Sequence, residues 1–72
     1  MKKILSYKFR KCSDVEMEYP YLEVRDQDEK VFMDISKNDD GEFQVLFYPE
    51  IASSQISLIE LKKIFEEAEK QI

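Results

Sequence analysis

Ser57 to Ile72 is the stretch that most limits what this chain can fold into, because its start, its length and its buried side can all be read locally. Ser57 and Glu60 form an S-x-x-E capping box, in which the hydroxyl takes a free amide near the helix start and the carboxylate returns to the cap amide. Ile56 before the cap and Leu61 at the fourth helical position are placed as a hydrophobic staple. Leu61, Ile64, Phe65, Ala68 and Ile72, with Leu58 at the margin, then recur at helical spacing and form one apolar stripe. The expectation is a helix over about residues 57–71 whose stripe must be covered by something upstream.

What lies upstream reads as a sheet. Leu5, Tyr7 and Phe9 alternate with Ser6, Lys8 and Arg10, which is the period of a half-buried strand, so a first strand is expected over about residues 3–11. Residues 12–20 are polar, end in Pro20 and read as a long connection. Alternation resumes with Leu22 and Val24 inward (strand about 20–26), then with Val31, Met33 and Ile35 (about 30–37), and then with Phe43, Val45 and Phe47 (about 42–48). Asp26 to Glu29 makes the first polar turn, and Asn-Asp-Asp-Gly at 38–41 makes the second, with the chain's only glycine set for a positive φ. Pro49 closes the last strand, since it has no amide to give a ladder. The fold class that follows is α+β, a four-stranded antiparallel meander with one C-terminal helix on one face (ββββα), in a single two-layer domain spanning residues 1–72. The first strand is free to pair at either edge of the sheet.

One helix covers one face, so the same parity predicts the other. Tyr21, Phe32, Leu46 and Tyr48 are expected to point outward beside Glu23, Arg25, Asp34 and Gln44, with Ile4 at the start of the first strand. Exposed apolar patches of this kind often mark interfaces, although single outward aromatics also serve strands through cross-strand packing. A homodimer through the open sheet face and a different protein partner both fit.

Charge narrows the partner. The net charge is −5, unevenly spread: residues 1–11 carry five basic groups and no acid, residues 12–50 carry twelve acids against Arg25, Lys30 and Lys37, and the helix carries four acids and three lysines. Phosphate backbones are bound by clustered Lys and Arg, so this balance argues against nucleic acid and for a protein partner with a basic surface. Asp14, Glu16 and Glu18, flanked by Tyr19 and Tyr21, are the first candidates for that contact, followed by Phe32, Leu46 and Tyr48.

Catalytic and metal chemistry have little support. There is no histidine, the lone Cys12 has no obvious base apart from the neighbouring Lys11, and the single glycine sits in a hairpin and not in a phosphate loop. Neither acidic turn has the spacing of a calcium loop. No cofactor, metal or enzymatic activity is therefore expected. One cysteine forms no internal disulfide, the N-terminal apolar run is interrupted by Ser6, Lys8 and Arg10, and no stretch is long enough to span a bilayer; the expected location is the cytoplasm.

From Tyr21 onward the layout is a strand ending EVRD, then FMDIS, then NDDGE, another strand and ISLIELKKIFEEAEK. This layout resembles small immunity proteins of bacterial polymorphic-toxin and contact-dependent inhibition systems. Those families share no catalytic signature, so no residue's role carries over; the resemblance implies a protein that binds and blocks a cognate toxin. Two other readings use the same features. One is a phage or mobile-element inhibitor of a host nuclease, in which carboxylates imitate phosphates. The other is a homodimeric structural or assembly domain built on the open sheet face.

Overall fold

A computed structural model describes residues 2–13 and 20–72. The elements in order are β1 (Lys2–Lys3), β2 (Lys8–Cys12), β3 (Tyr21–Arg25), β4 (Val31–Lys37), β5 (Phe43–Phe47), the 3-10 turn η1 (Pro49–Ser53), β6 (Ser54–Gln55) and the helix α1 (Leu58–Gln71). Strands β2 to β5 form an antiparallel meander in sequence order, and β1 pairs with β6 in a separate two-stranded parallel ladder. The α+β architecture is the one the alternation and the helix stripe imply, and β2 takes the edge next to β3.

The local chemistry of the ends is visible. Ser57 Oγ accepts the Glu60 amide at 3.1 Å, which caps α1. Gly41, at φ 81°, closes the hairpin loop between β4 and β5, in which Asn38 Oδ1 takes the amides of Asp40 (3.0 Å) and Glu42 (2.9 Å). In the other turn the carboxylate of Asp26, almost fully buried, accepts the amides of Asp28 (2.8 Å) and Lys30 (3.0 Å). The turn residue Glu29 takes a positive φ of 62°.

The core lies between the sheet and the helix. Leu22, Val24, Met33 and Ile35 from the sheet meet Ile64 and Ala68 from α1, and Leu61, Phe65, Ile72, Tyr7 and Phe9 pack around them partly buried. Full burial of a side chain such as Ile64 contributes about 1.5–3 kcal/mol. Lys11 Nζ, at the far end of β2, reaches the Gln71 carbonyl at 3.4 Å, a cation at the negative end of the helix.

Three expectations are corrected. The first strand does not run unbroken from 3 to 11: the chain leaves the β1–β6 ladder after Lys3 and joins the meander only at Lys8. Ile4 is consequently buried and Leu5 exposed, the reverse of the alternation. The cause is a change of partner, since Ile4 N donates to the Gln55 carbonyl (2.8 Å) while Gln27 takes the Leu5 amide (3.1 Å) and donates to the Lys3 carbonyl (2.8 Å). Phe32 is not on the open face. The ladder between β3 and β4 slips by one residue, from Val24↔Met33 to Arg25↔Val31, and this bulge turns Phe32 into the buried cluster, 2% exposed. Third, Phe43, Val45 and Phe47 do share a face with Met33 and Ile35, but α1 stops short of them and leaves them 39%, 38% and 52% exposed.

Candidate protein-binding surface

The uncovered face of the meander is ordered by register. Arg10, Glu23, Asp34 and Leu46 stand opposite one another in a row across β2, β3, β4 and β5. A second row holds Cys12 beside Tyr21 and Ser36 beside Gln44. The rows bring Glu23 and Asp34 side by side, and directly opposed residues on neighbouring strands have Cβ atoms about 4.5–5.5 Å apart. The face is polarised: Lys8 and Arg10 lie on the β2 edge, the carboxylate pair lies in the middle with Arg25 on the same strand as Glu23, and Leu46 and Tyr48 lie toward β5.

A shallow depression of about 720 Å³ opens here, lined by Tyr21, Asp34, Ser36, Gln44, Val45 and Leu46. The Tyr48 hydroxyl donates to Asp34 Oδ2 at 2.9 Å. That bond, with burial adding to it, pushes the Tyr48 phenol up to about 12. Burial raises the Asp34 carboxyl above its ordinary value and the neighbouring charge of Glu23 raises it further, while the Tyr48 hydroxyl pulls the other way. Asp34 Oδ1 and Arg25 Nε are buried atoms without a hydrogen-bond partner among the described residues. Arg25 Nη2 lies 3.4 Å from Glu23 Oε2.

The Cys12 thiol donates to Glu23 Oε1 at 2.8 Å. Burial and the Glu23 carboxylate both push this thiol up, so it holds its proton where a nucleophile would need to lose it. Among the described residues no group of three or more His, Cys, Asp or Glu is placed to hold a metal ion. No helix of the described residues is long and apolar enough to cross a membrane.

Of the residues singled out in the sequence, Tyr21, Leu46 and Tyr48 come together on this face, and Phe32 does not. Asp14, Glu16, Glu18 and Tyr19 fall outside the described residues. The pair Glu23–Asp34 and its link to Cys12 were not among the candidates. The signal for them was present in the outward parity of both acids, once the two hairpin turns set them opposite one another. No protein-family model, curated protein or solved structure matches the chain.

Proposed function

We propose that this chain is a protein-binding domain that works as an immunity-type inhibitor in the cytoplasm, blocking a cognate toxin by seating a basic segment of it on the open sheet face. The observation that carries the reading is the cross-strand carboxylate pair Glu23–Asp34 set beside Tyr21, Tyr48 and a Leu46 that is 61% exposed. A lysine or arginine of the partner would meet two carboxylates at the centre. Tyrosine rings and a leucine around it supply contact area at little entropic cost. The resemblance in layout points the same way. The basic β2 side of the face gives the contact a direction, since it repels the partner's cations toward the β5 side.

The test is capture of a partner from source cells, followed by titration of the purified pair at low and high salt. Leu46→Lys and the double change Glu23→Gln with Asp34→Asn should each weaken binding at least about tenfold, and salt should weaken the wild-type complex. In co-expression, wild type should restore growth to cells making the toxin and Leu46→Lys should not. Binding that is untouched by these variants and by salt would refute the reading.

A further inference from the structure

We infer that two copies of this chain pair through β5, edge to edge and antiparallel about a two-fold axis at Val45, to give one continuous eight-stranded sheet. The inference does not depend on what the open face binds. It begins with the ladder between β4 and β5. Asn38 donates to the Glu42 carbonyl (2.9 Å) and Tyr48 to the Phe32 carbonyl (3.1 Å), so the even-numbered residues at both ends of β5 face β4. By the alternation of an antiparallel ladder, the amides and carbonyls of Phe43, Val45 and Phe47 face away from it. Among the described residues no strand takes them up.

The two edges of the sheet are not alike. The β2 edge carries Lys8, Arg10 and Lys11 in five residues, the kind of charge that keeps a strand edge from pairing. Residues 43–48 carry no charge and no proline, and every residue of β5 is exposed. Only one edge is therefore open, which makes the pairing closed: once β5 meets β5, the outer edges of the assembly are both the basic β2.

The occupant is identified by the sequence of the strand itself. Phe-Gln-Val-Leu-Phe reads nearly the same in both directions, so antiparallel pairing centred on Val45 sets Phe43 opposite Phe47 of the second copy and Val45 opposite its own equivalent. The three outward-facing residues of each copy supply about six ladder hydrogen bonds. The axis stands perpendicular to the sheet, so both helices lie on one side and both open faces on the other. The aromatic and valine side chains that α1 leaves uncovered then meet their own kind across the seam. The apolar area involved is a few side chains per copy, below the roughly 800 Å² per partner of a standard interface, so the dimer is weak, in the micromolar range or weaker.

Sedimentation equilibrium of the whole chain across a concentration series from low micromolar to millimolar reads the mass, and amide NMR over the same series reads the surface. Wild type should pass from monomer to dimer, with the shifts concentrated at Phe43, Val45 and Phe47. Val45→Lys sets like charges against each other at the axis. Val45→Pro removes a donor that faces solvent and that β4 does not use. Both should abolish the dimer while leaving the amide spectrum of β2, β3 and α1 in place. A wild type that stays monomeric, a dimer that survives both changes, shifts confined to the open face, or open-ended oligomers would each overturn the proposal. So would protection of the β5 amides that arises only when a different protein is added, since that would make the occupant a foreign strand.

Discussion

Asp26 is the one charged residue among the described residues that is buried, at 5% exposure, and replacing it should cost more than any other single change to a polar side chain. Its Oδ1 takes the amides of Asp28 and Lys30, and its Oδ2 meets Lys2 Nζ at 2.6 Å. One carboxylate thus closes the β3–β4 turn and ties β1 to it. A hydrogen bond to an ionised acceptor is worth about 1.5–3 kcal/mol, and the two amides lie in an exposed turn where water replaces part of the loss. The low end for each gives about 3 kcal/mol for Asp26→Ala, to which loss of the Lys2 contact adds. A chain of this length has a total stability of about 4–11 kcal/mol, so urea melts at pH 7 should show a large share gone and a Tm lower by about 12–24 °C. Asp26→Asn keeps an acceptor for both amides and should fall between wild type and alanine. Burial alone would raise the Asp26 carboxyl, but the bonds from Lys2, Lys30 and Asp28 outweigh it and hold the group below its ordinary value. The stability linked to its ionisation is therefore fully present above the unfolded-state value and is lost as pH falls through the lower folded-state value. The gap between wild type and Asp26→Asn should narrow from about pH 4 downward. A loss under about 1 kcal/mol for alanine, or a gap to asparagine that ignores pH, would refute this account.

Ile64→Ala, at the fully buried centre of the helix stripe, should cost about 3 kcal/mol in urea unfolding, with the slope unchanged. Gly41→Ala meets no atom within 4 Å but must hold φ 81°, so it should cost about 1 kcal/mol by the same assay and Gly41→Asn less. Asp34→Asn should stabilise the domain at pH 7: the folded state raises the Asp34 carboxyl, so wild type loses stability as pH rises through the ordinary carboxylate range while the variant does not. The two melts should converge below about pH 4, and a destabilised variant at pH 7 would contradict the environment described for this residue.

The parts of the fold that the sequence discloses are those settled by neighbours along the chain. Ser57 caps what Glu60 completes, Gly41 turns what Asn38 begins, and the alternation of Leu22 and Val24 or of Met33 and Ile35 needs only the pleat. What it conceals depends on distant partners. Nothing local tells Ile4 that its amide will bond to Gln55, which is why an apparently continuous strand divides and exchanges the roles of Ile4 and Leu5. Nothing local marks Phe32 as the extra residue of a bulge, and a shift of one place is enough to send an aromatic ring from the open face to the core. The parity of β5 was legible but its exposure was not, because the width of sheet that one helix covers is set by where the helix sits. The candidate surface was half legible for the same reason: Tyr21, Leu46 and Tyr48 follow from parity, whereas the importance of Glu23 and Asp34 follows from their being opposed across strands.

A domain of this size has little stability to spare, so features that work against folding or solubility are informative. Two occur, and both involve β5. On the open face, Asp34 is a carboxyl partly withdrawn from water, beside a second carboxylate. At the edge, five consecutive exposed residues expose apolar side chains and free backbone groups with none of the charge that guards β2. Leu46 and Val45 are adjacent in sequence, yet the pleat points Leu46 into the carboxylate face and Val45 to the helix side at the two-fold seam. Substitution at one should therefore leave the other surface intact: Leu46→Lys should lose the partner and keep the dimer, and Val45→Lys should lose the dimer and keep the partner. If both changes abolish both properties, the two surfaces are one, and the open face binds its partner only across the seam of the dimer.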